Sequence, residues 1–130
     1  MTRCLLSLIQ NAALPDSPRF GIAELWHGQV VVIAVSGTID LLTVPRLNDT
    51  VQSVLSKRPV ALIIDLMDVE FLASAGMAAL VEAHNKAVPD VEFAVVADGP
   101  STSRPMKIIG LTELIDMYSS LAQALGRFTS

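Results

Sequence analysis

Residues 71–80 read FLASAGMAAL. One hydroxyl, Ser74, stands among small and apolar side chains, with Gly76 two positions on. Three kinds of chemistry suit a serine there. It can cap a helix by accepting a backbone N–H bond. It can act as a nucleophile if a base lies within reach. It can carry a phosphate, whose charge of about −1.5 to −2 changes what docks nearby. The groups that would assist are few. The two histidines are His27 and His84, and the only cysteine is Cys4. A lone cysteine permits no internal disulfide and no cysteine-rich metal site. No metal and no cofactor is expected.

The nucleophile reading is weak on spacing. A nucleophile elbow wants glycine two residues before the serine, and Leu72 stands there. His84 lies ten residues along the same helix, about 15 Å away by helical rise. It also falls in the helix's apolar arc, where a packed histidine is the usual reading. His27 ends the first strand and is not placed near Ser74. A small serine hydrolase is therefore the disfavoured alternative, and a non-enzymatic role is expected.

The elements that must hold Ser74 follow from periodicity and punctuation. Phe20–His27 reads as a strand, Gly28 as a tight turn, and Val30–Val35 as a strand apolar on both faces. The tight turn makes this pair antiparallel. Ser36-Gly37-Thr38 interrupts the apolar run. Leu47, Val51, Val54 and Leu55 recur at helical spacing, with Pro45 in the first turn. Val60–Leu66 is the next buried strand, and Met67–Ala73 reads as a loop. A helix spans Ser74 to about Val88, stopped by Pro89. Val91–Val96 is a strand, Ser101–Ile109 a short helix ended by Gly110, Asp116–Tyr118 a short edge strand and Leu121–Leu125 part of a last helix.

Strands alternating with helices imply crossover units and a largely parallel sheet. The fold class is α/β, with four to five strands, an antiparallel first strand and about four flanking helices. Functional groups in such sheets gather beyond the carboxyl ends of the parallel strands. Asp40 follows the second strand, Ser74 the third and Asp98 the fourth, so Asp40 and Ser74 are expected on one rim. On the Ser74 helix, Gly76, Ala79, Leu80, Ala83 and Ala87 form a small apolar face. Glu82 and Lys86 face away at ion-pair spacing. Ser74, Met77 and Val81 run along the border and form a candidate docking surface. Asp65 at a strand end raises a receiver-domain reading. That fold needs an acidic pair after its first strand, where His27 and Gly28 stand, so Asp65 is read as structural.

The chain has 130 residues, enough for one domain with a real core. It is 52% hydrophobic with a net charge of −4, and its mean hydropathy is +0.53. No apolar run is long enough to cross a bilayer, and no basic patch invites nucleic acid. The apolar excess implies buried strands plus a surface for a partner or a homodimer. Nothing in the first residues reads as an export signal, so the cytoplasm is expected. Residues 1–18 end in Pro15-Asp16-Ser17-Pro18 and read as an arm and linker outside a domain of residues 19–130. Leu5, Leu6 and Ile9 are its apolar residues, and Cys4 reads as an inert terminal thiol. Deleting residues 1–18 is expected to leave a cooperative thermal transition. Aggregation of the truncated chain would show that the arm fills the core.

An ordered set of motifs carries a resemblance. Ser36-Gly37-Thr38-Ile39-Asp40, Pro45-Arg46-Leu47, Ile64-Asp65-Leu66 and the stretch Val69-Glu70-Phe71-Leu72-Ala73-Ser74-Ala75-Gly76-Met77 resemble the successive motifs of STAS domains. They resemble in particular the anti-sigma factor antagonists of bacteria. Ile109-Gly110-Leu111 is similar to that family's late helix-ending motif, so the likeness runs from about Phe20 to Leu125. The resemblance implies a STAS-type sheet and a domain that binds an anti-sigma factor, itself a serine kinase, and so frees a sigma factor. It implies phosphorylation at Ser74 and reversal by a phosphatase, and it matches Asp40 to the family's acidic residue near that serine; Asp40 and Ser74, with Met77 and Val81 from the helix border, make up the expected partner surface. This chain departs from the family motif at two positions: Ala73 replaces an aspartate, and Ala75 replaces a second Ser or Thr. A STAS module with another signalling partner, or one controlled without phosphorylation, is the nearer alternative.

Overall fold

The computed structural model describes residues 20–129. The expectations for the arm and for Cys4 lie outside the described residues. The strands are β1 (Gly21–His27), β2 (Val30–Ile39), β3 (Ala61–Leu72), β4 (Glu92–Val96) and β5 (Asp116–Tyr118). The helices are α1 (Val44–Ser56), α2 (Ser74–Ala87), α3 (Ser103–Ile108) and α4 (Leu121–Thr129), with a 3-10 turn at Leu111–Glu113. The sheet order is β1-β2-β3-β4-β5. β1 is antiparallel to β2, and the remaining pairs are parallel. The expected fold class is observed.

Two strands outrun their sequence reading. β2 continues through Ser36-Gly37-Thr38 to Ile39, and β3 continues through the expected loop to Leu72. The apolar run was the wrong guide to their ends. Beyond Ile33 and Ile64 the strands are no longer buried at every position: β2 alternates between buried and half-buried residues, and β3 keeps only Leu66, Val69 and Leu72 buried. β3 also inserts an extra residue twice against β2. Ala34 pairs with Asp65 but Ser36 with Asp68, and Gly37 pairs with Val69 but Thr38 with Phe71. Each bulge breaks the two-residue period. Asp65 stands at the first, where its carboxylate accepts the Met67 N–H at 3.0 Å. This is the structural role expected of it.

The main core lies between the sheet and α1, α2 and α3. Ile33, Ile39, Leu47, Leu62, Ile64, Leu80 and Met106 are fully buried there. α4 covers part of the other face through Ala124, with Leu121, Leu125 and Phe128 beside it. The salt bridge between Lys57 and Glu24 ties the end of α1 to β1 at 2.7 Å. Lys57 and the Trp26 indole N–H hold the Glu24 carboxyl below its ordinary range. The expected Glu82–Lys86 pair is not among the salt bridges of the described residues.

The buried face of α2 is Gly76, Ala79, Leu80, Ala83 and Ala87, as its periodicity predicts. Gly76 is needed for space. A Cβ there would stand 2.6 Å from Leu72 Cδ1, 2.7 Å from Ile39 Cγ2 and 3.1 Å from the Ile39 carbonyl oxygen. Gly76→Ala would gain about 1 kcal/mol of helix propensity. It would also force overlap in a packed layer, at a cost of about 1–3 kcal/mol. The overlap should win, because Ile39 and Leu72 are themselves buried. A net loss of up to about 2 kcal/mol is expected in urea unfolding; a gain would mean that the layer relaxes.

Candidate functional site

The register places the site. Ile39 ends β2 opposite Leu72, which ends β3. The next residues on each strand, Asp40 and Ala73, therefore leave the sheet side by side. The Ala73 N–H donates to the Ile39 carbonyl at 2.9 Å, which extends the pairing by one step. Ser74 then opens α2. Asp40 and Ser74 share the rim, as expected. They line one shallow cleft with Leu41, Leu42, Ala73 and Ala75.

Asp40 organises its own loop. Its Oδ1 accepts the Leu42 N–H at 2.9 Å and the Thr43 N–H at 3.2 Å. In return the Asp40 N–H donates to Thr43 Oγ1 at 2.9 Å, while that hydroxyl donates to the Thr38 carbonyl at 2.8 Å. The Asp40 carbonyl accepts Thr43 and Val44 N–H groups, starting the turn that runs into α1. This is the reciprocal logic of a capping box, one turn ahead of the regular helix. It fixes the backbone of Leu41 and Leu42 while leaving their side chains 78% and 79% exposed. A pair of leucines held rigidly in water is a poor arrangement for folding and a good one for docking. The sequence reading passed over this pair. Its signal was present in an aspartate followed three residues later by threonine, which predicts a local cap and hence the exposure of what lies between.

The cap reading of Ser74 is corrected. The N-cap of α2 is Ala73, in extended conformation, with no side-chain cap bond. Ser74 is the first helical residue and is exposed. Its hydroxyl stands at the positive end of a 14-residue helix with no acidic residue in the first turn.

Met77 and Val81 are half-buried and pack against the main core. They line the inner border of α2 and do not project freely. Asp98 follows β4 and lines a separate cleft with Gly99, Ser103, Arg104 and Lys107. His84 packs edge-on against Phe93 at 5.7 Å between ring centroids. His27 pairs with Val30, at the opposite end of β2 from Asp40. Neither histidine lines the Ser74 cleft, so the arrangement supplies no imidazole base to that hydroxyl. Among the described residues no cluster of potential metal ligands occurs, and no helix is long and apolar enough to cross a membrane.

Comparison with known proteins identifies the family. The STAS domain model matches residues 26–124. The anti-sigma-F factor antagonist RsfB of Mycobacterium tuberculosis H37Rv is 39% identical over 111 residues, which is 85% of this chain and 89% of that protein. The crystal structure of an anti-sigma factor antagonist from Mycobacterium paratuberculosis superposes with a TM-score of 0.83 at 38% identity. That match covers 89% of this chain and 97% of the other. A STAS domain antagonist from Planctomyces limnophilus shares the fold at 23% identity and a TM-score of 0.69, over 80% of this chain and 93% of that one. With the family model spanning residues 26–124 and a relative 39% identical over 85% of the chain, the chain belongs to the STAS domain family.

Proposed function

We propose that this protein is an anti-sigma factor antagonist that docks through the rim holding Leu41, Leu42 and Ser74. One observation carries the reading: the Asp40–Thr43 lock presents two exposed leucines beside an exposed serine at a helix N-terminus. The leucines supply contact area, and Ser74 supplies the switch. The names of the two mycobacterial relatives, at 38% and 39% identity, support the choice of partner. Binding captures the anti-sigma factor and leaves the sigma factor free. The chain acts by binding in the cytoplasm, not by catalysis.

The same layout supports control by phosphate at Ser74. The first-turn N–H groups and dipole of α2 accommodate an anion, so the modified domain keeps its fold. The anion nevertheless lies in the cleft that the leucines line, where docking would strip it of water. The partner is then both target and serine kinase, and a phosphatase restores binding. Ala73 and Ala75 replace the usual polar neighbours of the acceptor, so a kinase must recognise the rim by shape rather than by adjacent charge. Asp40 has a positioning role, holding the loop rather than touching the partner's reacting groups.

The test is release of a sigma factor. The purified protein is added to a preformed complex of sigma factor and anti-sigma factor from the same cell, and the products are separated by size exclusion. Free sigma factor, with the antagonist co-eluting with the anti-sigma factor, is expected. An intact sigma complex and a free antagonist would reject the reading in favour of a STAS module with another partner.

A further inference from the structure

The residue placed to cap α2 has no side chain to do it. Ala73 has the backbone of an N-cap: φ is −78° and ψ is 168°. Its carbonyl accepts the first intrahelical bond, from the Met77 N–H at 3.0 Å. An acceptor oxygen on residue 73 would reach the Ala75 or Gly76 N–H from there. Alanine carries none, and no side-chain cap bond is made. No acidic residue stands in the first turn either. The chain caps its helices elsewhere. Asp40 Oδ1 takes the Leu42 and Thr43 N–H groups ahead of α1. Ser120 Oγ takes the Gln123 N–H at 3.2 Å at the start of α4. A nine-residue peripheral helix thus has a side-chain cap, and the 14-residue helix that carries Ser74 has none. Asp, Asn and Ser are the favoured residues at an N-cap, and alanine is among the poorest. A local rule broken beside a site marks a competing demand there.

That demand can be read in the cleft. Ala73 and Ala75 are half-buried and line it together with the exposed Leu41, Leu42 and Ser74. Asp40 supplies the only charged side chain, and its Oδ1 is already engaged by two backbone N–H groups. Apart from the Ser74 hydroxyl, every other lining side chain is apolar. A cap at residue 73 would place a polar group among them, where docking removes water. A carboxylate is costly to strip of water, and first-turn N–H bonds return only part of that cost. Position 73 therefore sets helix stability against a dry contact, and the dry contact has won. An apolar side chain of a partner fits such a wall.

We propose that Ala73 is a specificity-determining residue, which keeps the cleft free of a second charge so that the anti-sigma factor seats an apolar side chain against Leu41, Leu42 and the start of α2. This rests on the antagonist reading above and adds the chemistry of the partner's anchor. The domain is left less stable than its backbone allows, and partners whose matching element is polar or charged are selected against.

Replacing Ala73 separates stability from recognition. Ala73→Asp and Ala73→Asn each supply the missing acceptor, so each should melt about 4 °C above wild type. Both should bind the anti-sigma factor more weakly, by about tenfold for Asn and at least about thirtyfold for Asp. A residue with a merely structural role would move both readings in the same direction. Gln52→Asp adds the same charge at an exposed position, about 12 Å along α1 from its rim end. It should bind within about twofold of wild type, because that distance exceeds the screening length of about 8 Å. Affinities are read by calorimetric titration with the anti-sigma factor in the absence of ATP, so that Ser74 stays unmodified. Binding of Ala73→Asp or Ala73→Asn as tight as wild type would overturn the proposal. So would a melting midpoint that does not rise, or a loss for Gln52→Asp as large as that for Ala73→Asp. Failure of wild type itself to bind would reject the antagonist reading and the proposal with it. Binding by wild type with no loss in Ala73→Asp would reject the proposal alone.

Discussion

Ser74→Asp is expected to bind the anti-sigma factor roughly a hundredfold more weakly than wild type, a loss of about 3 kcal/mol. The charge stands in a cleft lined also by Asp40, Leu41, Leu42, Ala73 and Ala75. Docking an apolar partner must strip water from the carboxylate, at several kcal/mol per buried ion before compensation. The α2 N-terminus helps by about 0.3–1 kcal/mol, but it does so in the free and the bound protein alike, so it cannot rescue affinity. Ser74→Ala should bind like wild type. It should also fold like wild type within about 0.5 kcal/mol, because an exposed first helical residue is not a cap. The measurement is calorimetric titration of the three proteins with the anti-sigma factor, with thermal melts of each. Equal affinities for Ser74→Asp and wild type would remove Ser74 as a switch, and the paired alanines at 73 and 75 would then mark a domain free of phosphate control.

The contrast between Ser74 and its neighbours shows what a sequence discloses. The order of elements was legible because buried strands and the α2 stripe have strong periods. Gly110 was legible as a helix end because its backbone is left-handed, at φ 84°, where glycine is at no disadvantage. The rim was legible from the rule that loops after parallel strands converge. What failed was local. The upper halves of β2 and β3 looked like loops because they are no longer buried at every position and bulges shift the alternation. Ser74 looked like a cap because serine favours that position. Whether it caps depends on a backbone angle one residue earlier, and Ala73 takes the extended conformation instead. Leu41 and Leu42 look like core residues in any hydropathy profile. The Asp40–Thr43 hydrogen bonds, signalled in sequence only by the spacing of those two residues, hold them out of the core.

Those leucines carry the second large effect. Leu41→Ala combined with Leu42→Ala is expected to weaken anti-sigma factor binding by at least about thirtyfold, or roughly 2 kcal/mol, the threshold for a docking anchor. The thermal midpoint should hardly move, because side chains 78% and 79% exposed contribute little to the fold. The paired alanines leave the Asp40–Thr43 bonds intact, since those run through backbone groups and the Asp40 and Thr43 side chains. Met77→Asp is the counterpart. The sequence alone makes Met77 a surface residue of α2, which predicts a binding defect with normal stability. Its packing against the core reverses that expectation. A carboxylate there is stranded against apolar side chains, and about 2–4 kcal/mol of stability should be lost. Melting and titration of both variants separate the two roles. A double-leucine variant that binds normally would move the anchor off the Asp40 loop. A Met77→Asp protein that melts normally but fails to bind would return the docking surface to the border of α2.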